Sequence, residues 1–319
     1  MKSSPASLEG HPAHSTTHPL NPADAAAVAA MRTLLEPLQG KLPDWPERRT
    51  GFDQMIGQIP AAPGVSYEPD TIGGVPGWWC NPHNAQPGAT LLYFHGGAYV
   101  VGSPLAHRNF VGQLAVRARA ATFIAGYRLA PEHGFPAPVQ DAEACYRGLL
   151  ERKVGRIAIS GASAGGGLGL ILLSLATAQA KRSGSVAPVA AAVLSPWTDL
   201  TLSGRSLTER AQSDPLLSNS DLRSAARHYL RGHDAADPLV SPLFGDLAGL
   251  PPIRVHVGED EVLLDDSVRY VARAVAAGVD ARIDIWQGML HVFSSSVGRL
   301  QASAQALDEV GAFLSTHLA

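Results

Sequence analysis

Six short runs of mostly apolar residues, each separated from the next by a stretch of helical character, constrain this chain more than any other feature of its 319 residues. They are TLLYF (90–94), ATFIAGY (121–127), RIAISG (156–161), VAAAVLSP (189–196), IRVHVG (253–258) and ARIDIW (281–286). Helices are expected between them at 108–118, 137–152, 165–181 and 263–277, with a last one from about Ala302. A strand that is apolar at nearly every position must be covered on both faces, so the alternation predicts an α/β protein with a mostly parallel sheet between helical layers. Residues 199–251 break the rhythm with helical segments near 204–212 and 219–231 and proline-rich links, which reads as an insertion over one sheet edge.

At the start, residues 1–20 are rich in Ser, Thr, Pro and His and read as a mobile leader. His11, His14 and His18 supply imidazoles, but no neighbouring carboxylate or cysteine completes a ligand set, so no metal is expected. Asn21-Pro22 then resembles an N-cap followed by proline at the first helical position, opening an alanine-rich helix to about Glu36 that Pro37 and Gly40 end. Charge excludes one class of partner: 25 Lys and Arg against 28 Asp and Glu, a net of −3 with no basic run, cannot neutralise a phosphate backbone, so nucleic acid is not expected. The apolar run 168–176 is too short to span a bilayer, and the N-terminus lacks a continuous apolar signal core. Cys80 and Cys145 lie far apart in no metal or redox pattern. Two free thiols fit a reducing cytoplasm, where the chain is expected.

SGASAGGGLG (160–169) follows a predicted strand and opens a predicted helix. At its centre Gly161-Ala162-Ser163-Ala164-Gly165 is a G-x-S-x-G sequence, which in a strand–turn–helix context lifts a serine hydroxyl onto a strained, exposed turn. No register of these glycines gives the dinucleotide spacing G-x-G-x-x-G, and Gly166 is followed by Gly167 where a phosphate loop needs lysine. The chemistry indicated is nucleophilic, and it accounts for a second glycine turn, YFHGGAYVVGS (93–103). Acyl transfer needs N–H donors aimed at the oxygen that turns negative, and Gly96 and Gly97 can present theirs unobstructed, with the N–H of Ala164 as a third. His95 reads as a hydrogen-bonder that orients the loop, and Tyr99 either lines the pocket mouth or packs as an ordinary core aromatic.

HGGAY (95–99), YRLAPEHGFPAPVQDA (127–142), GASAGG (161–166), SPWTDL (195–200), GEDEVLLDD (258–266) and GMLHVF (288–293) together resemble the hormone-sensitive-lipase-like microbial esterases of the α/β-hydrolase fold. The resemblance covers about residues 65–315. It implies an eight-stranded, mostly parallel sheet flanked by helices, a catalytic domain over 51–199 and 241–319, and a helical cap built from 21–50 and the insertion 200–240. Ala98 stands where many members have a third glycine and Ala162 where acidic or threonine versions are common; neither change removes a donor. Glu132 and Asp141 match positions that hold loops in place.

In this fold the triad runs Ser, acid, His along the chain. His291 lies in the last loop before the terminal helix, where the base belongs; His256 falls inside a strand, His228 and His233 in the cap, and His107 and His133 precede the nucleophile. Asp260 and Glu261 are adjacent, and only one can face His291. Matching Leu263 and Asp265 to the family's D-P-L-x-D run places the acid at Glu261, with Asp260 the alternative. Asp199 is a third candidate, read first as a structural turn residue. Val262, Met289 and Val292 either shape the pocket or belong to the core. The expected activity is cofactor-independent cleavage of a small-molecule ester of short to medium acyl length, without stable membrane insertion and with a homodimer left open. DEVLLDD also resembles the branch that includes monoterpene lactone hydrolases, so a lactone is the alternative substrate. A non-catalytic receptor would lack His291, and amide or thioester cleavage would use the same groups.

Overall fold

In the computed structural model, which describes residues 14–38 and 47–319, nine strands form one sheet. The chain begins with β1 (Ser15–His18), α1 (Pro22–Leu35) and α2 (Arg49–Gly57), then makes a hairpin of β2 (Val65–Ile72) and β3 (Val75–Pro82). From β4 (Ala89–Phe94) the alternation sets in with α3 (Pro104–Ala118), β5 (Ala121–Ala125), α4 (Ala137–Glu151), β6 (Arg156–Ala162), α5 (Ala164–Ser183) and β7 (Ala191–Leu194). The insertion carries α6 (Ser206–Glu209) and α7 (Asn219–Leu230), after which β8 (Ile253–Gly258), α8 (Leu264–Ala276), β9 (Ala281–Trp286) and α9 (Gln301–Leu318) complete the fold. The strand order is β1-β9-β8-β7-β6-β4-β5-β3-β2, parallel except that β3 runs antiparallel to β2 and β5.

All six apolar runs are strands, and β4 shows why: each of its residues is buried, Leu92 and Phe94 in one core layer and Leu91 and Tyr93 in the other. The sheet has nine strands where eight were expected. The extra one comes from the segment read as a mobile leader, whose residues 15–18 pair in parallel with β9; its first thirteen residues, His11 included, lie outside the described chain. The edge of β9 offers unpaired backbone groups, and the polar segment satisfies them. The His18 Nε2 meets Asp284 Oδ1 at 2.9 Å while its ring stacks on Trp286 at 3.8 Å, with Glu309 at 3.8 Å, so distant carboxylates engage this histidine.

Asn21 caps α1 as its sequence suggests, its side chain accepting from Ala23 N at 2.9 Å. One turn on, the buried Asp24 carboxylate accepts the N–H groups of Gln301 and Ala302 at 2.7 and 2.8 Å, capping α9 from outside that helix. Gly40 and the rest of 39–46 lie outside the described residues. Helix α2 runs from Arg49 to Gly57, across position 50 where the N-terminal part of a cap was expected to end.

The topology puts the site in one place. From β4 the chain crosses to β5 on one side and from β6 to β7 on the other, so the C-terminal ends of these adjacent strands open a crevice. Both glycine turns lie there. Among the described residues no helix is long and apolar enough to cross a membrane.

Candidate active site

Ser163 sits between β6 and α5 with φ 54° and ψ −123°, a conformation that L residues with a side chain adopt only under strain. The surroundings enforce it. Ser163 N donates to Leu194 O at 2.9 Å, while its own carbonyl accepts from Gly167 N and Trp197 N, both at 3.0 Å. A Cβ on Gly165 would strike the carbonyl oxygens of Phe94 and His95, so α5 can approach β4 this closely only with glycine there. The result is a serine 8 % exposed, facing a cavity at the head of a helix.

The loop after β4 forms the facing wall. Gly97 has φ 125°, and its carbonyl accepts from Val100 and Val101 N at 2.9 Å, folding the loop back on itself. Gly96 and Gly97 line the same cavity as Ser163, and Ala164, in the first turn of α5, has an N–H with no acceptor within its own helix. His95 is buried away from the chemistry. Its Nδ1 donates to Gly96 O at 2.9 Å, Tyr127 Oη donates to its carbonyl at 2.7 Å, and its ring stacks between Tyr127 and His107. Burial, with help from His107, pushes its pKa down to about 3, so it stays neutral and holds the loop. Arg49 on α2 braces this loop from outside, donating to Val100 O and Ala130 O at 2.8 Å and pairing with Glu132 at 2.7 Å. Asp141 fixes the neighbouring turn through Arg128 at 2.7 Å.

Of the two adjacent acids after β8, Glu261 turns inward and Asp260 outward. Glu261 is fully buried; its Oε1 lies 3.1 Å from His291 Nδ1, and its Oε2 accepts from Ser195 Oγ at 2.7 Å and Gly258 N at 3.1 Å. Asp260 pairs with Arg32 of α1, which also donates to the carbonyls of Ser213 and Gly288. Asp199 is consumed by Thr201, Ser203 and Arg269, and its neighbour in space, Asp266, accepts the N–H groups of Thr198 and Asp199. Burial raises the Asp266 pKa to about 7, with the Asp199 charge adding to the effect.

His291 lines the cavity with Ser163. Burial pulls its pKa down, but the charge of Glu261 and the hydrogen bond to it outweigh burial, and Asp214 and Asp266 add to the same side, so the imidazole rests above its ordinary value. With Nδ1–H donated to Glu261, Nε2 is the nitrogen left to take a proton. Ser195 was not singled out from sequence. It directly follows β7 at φ 47°, and besides its bond to Glu261 its oxygen accepts from Val292 N at 3.1 Å, tying the acid to the histidine loop.

The cavity holds about 460 Å³. Its walls are mostly apolar: Phe52, Met55 and Ile56 come from α2, Leu216 and Leu217 from the insertion, and Tyr93 and Phe110 from the body. Val292 is among the lining residues, but three other pocket candidates are not. Tyr99 is fully buried with its ring stacked on Tyr229 at 4.0 Å, Val262 is fully buried in the main core, and Met289 packs with Trp286 and Phe293. Val262 directly follows Glu261, and Tyr99 and Met289 stand two residues from Gly97 and His291, but the turns there carry these side chains into the core.

Residues 91–295 match a family model described as the alpha/beta hydrolase fold. An acetyl-hydrolase of Streptomyces hygroscopicus is 41 % identical, over 84 % of this chain and 89 % of that protein. A crystallised esterase/lipase from an uncultured bacterium is 37 % identical and superposes with a TM-score of 0.85, covering 94 % of this chain and 99 % of that one. A second crystal structure, an esterase of the bacterial hormone-sensitive lipase family, is 36 % identical with a TM-score of 0.86, covering 92 % of this chain and 99 % of its own.

Proposed function

Since the chain belongs to the alpha/beta hydrolase fold family, among the ester hydrolases of its hormone-sensitive-lipase-like branch, we propose that it is a serine carboxylesterase acting on short to medium acyl esters through a triad of Ser163, His291 and Glu261. The observation that carries this reading is the buried Glu261 carboxylate against His291 Nδ1, which leaves Nε2 free in the cavity that also exposes Ser163.

In the proposed cycle His291 Nε2 takes the proton of Ser163 Oγ as that oxygen bonds to the ester carbonyl carbon. The carbonyl oxygen becomes an anion held by the N–H groups of Gly96, Gly97 and Ala164. Collapse of this intermediate breaks the ester C–O bond, and the alcohol leaves with the proton from His291. Water then repeats the sequence on the acyl-enzyme and frees the acid. Glu261 holds the imidazole in the reactive tautomer and balances its charge; Ser195 and Gly258 hold Glu261.

The mostly apolar walls suit an acyl chain, and the acetyl-hydrolase name of one relative points to its short end. Cap helices α1 and α2 and the 200–240 insertion would set how much chain fits. Turnover of nitrophenyl esters by Ser163→Ala is the test. The variant should fall to about the 10³–10⁴-fold residual acceleration over water that binding and oxyanion donors supply alone, and near-wild-type turnover would end the reading.

A further inference from the structure

Three side chains from three elements close on one point at the β1 edge of the sheet: His18 of β1, Asp284 of β9 and Glu309 of α9. None of them lines the cavity of Ser163. His18 Nε2 stands 2.9 Å from Asp284 Oδ1 and 3.8 Å from Glu309 Oε2, and all three atoms lie within 4.8 Å of one another. A tetrahedral ion with bonds of about 2.0–2.1 Å holds its donors about 3.3 Å apart, so the two imidazole–carboxylate separations bracket what a single ion needs. The donors are held from behind. The His18 ring lies flat on Trp286 with the planes 4° apart, and Gln305 Nε2 donates to the other Glu309 oxygen at 3.0 Å, leaving Oε2 to face His18. Trp286 Nε1 donates to Nδ1 of the buried His256 at 3.2 Å, so the His256 proton sits on Nε2, which faces Asp284 Oδ2 at 3.6 Å. Outer partners of this kind orient the ligands of metal sites.

We propose that His18, Asp284 and Glu309 bind one divalent transition-metal ion, with zinc the best match to one nitrogen and two oxygens at this spacing and water in the fourth position. A neutral imidazole and two carboxylates carry two negative charges, which a dication balances. Among the described residues no lysine or arginine pairs with Asp284 or Glu309, so the balance is not already supplied by a fixed cation. Calcium and magnesium suit the site less well, because they take six or more ligands, nearly all oxygen. The ion's task is structural. The four residues of β1 are polar and none is fully buried, so the strand has little apolar surface with which to hold itself to the sheet. An ion bonded to His18 on one side and to Asp284 and Glu309 on the other ties β1 to β9 and α9 together, and its binding free energy becomes part of the stability of that docking.

Zinc ion alone is the probe, offered to the tag-free full chain after EDTA treatment and dialysis. Elemental analysis and calorimetric titration at neutral pH should find one zinc per chain, and the melting temperature should rise with zinc and return with EDTA. His18→Gln and Glu309→Gln replace partly exposed ligands with uncharged side chains of similar reach. Each should weaken zinc binding by at least the 10–100-fold, approximately, that losing an outer supporting group costs. His14→Ala is the control: it removes an exposed imidazole of the same segment that lies outside the cluster, and it should bind as the unaltered chain does. A chain that takes up no zinc overturns the site and leaves His18 as an ordinary ion-pairing histidine. Zinc bound equally well by both glutamine variants, or lost in His14→Ala, places the ion elsewhere and also overturns it.

Discussion

Glu261 and Asp260 are adjacent in sequence, yet the structure gives them opposite surroundings, and replacing each by alanine should separate them sharply. Glu261→Ala removes the acceptor for three groups: His291 Nδ1, the Ser195 hydroxyl and the Gly258 N–H. Without it the imidazole is free to adopt the wrong tautomer and has no counter-charge as it takes the serine proton, a loss of about 10⁴-fold in kcat, or roughly 5 kcal/mol of transition-state stabilisation. The buried donors left behind should also lower folding stability by about 2–4 kcal/mol. Asp260→Ala breaks an ion pair whose side chains are about one-fifth exposed, and Arg32 keeps its bonds to the carbonyls of Ser213 and Gly288. That should cost about 1 kcal/mol of stability or less, and leave kcat within about threefold. Steady-state hydrolysis of nitrophenyl acetate and butyrate, with a melting curve for each variant, measures both quantities. A larger fall in kcat from Asp260→Ala than from Glu261→Ala would refute the reasoning, because no rearrangement of an outward-facing carboxylate is needed if Glu261 is the acid.

Two other expectations are independent of that one. Because His291 is held above its ordinary pKa, kcat/KM should drop on the acid side with a midpoint above the ordinary imidazole value of about 6.5. Glu261→Gln, lacking the charge that raises it, should shift the midpoint down; a pH–rate profile with its limb unmoved would contradict the electrostatic account. Asp24→Ala removes the external cap of α9 and should lower stability by about 1–2 kcal/mol without changing kcat, read by denaturant melts beside an esterase assay.

Sequence carried most of the scaffold because the central strands are buried on both faces and so are apolar at almost every position. The hairpin of β2 and β3 left a fainter trace, Gly73-Gly74 between half-exposed runs, with both glycines at positive φ. β1 left none, since four polar residues become a strand only when the edge of β9 is there to receive them. At the site, glycines and histidines were legible because their spacing follows the chemistry. Ser195, Arg32 and Arg49 were not, because each acts through partners dozens of residues away. The pocket suffered from the same gap: nearness along the chain suggested Tyr99, Val262 and Met289, while the walls came largely from α2 and the insertion.

The backbone at position 163 has one further implication, for anyone selecting hardier forms of this protein. Glycine tolerates that turn without penalty, so exchanging the hydroxyl-bearing residue for it would relax about 1–3 kcal/mol of local tension and leave the molecule sturdier. With Ser163 as the proposed nucleophile, selection on thermal resistance alone would therefore drift toward inert variants, and only a screen that also demands turnover would keep its hydroxyl.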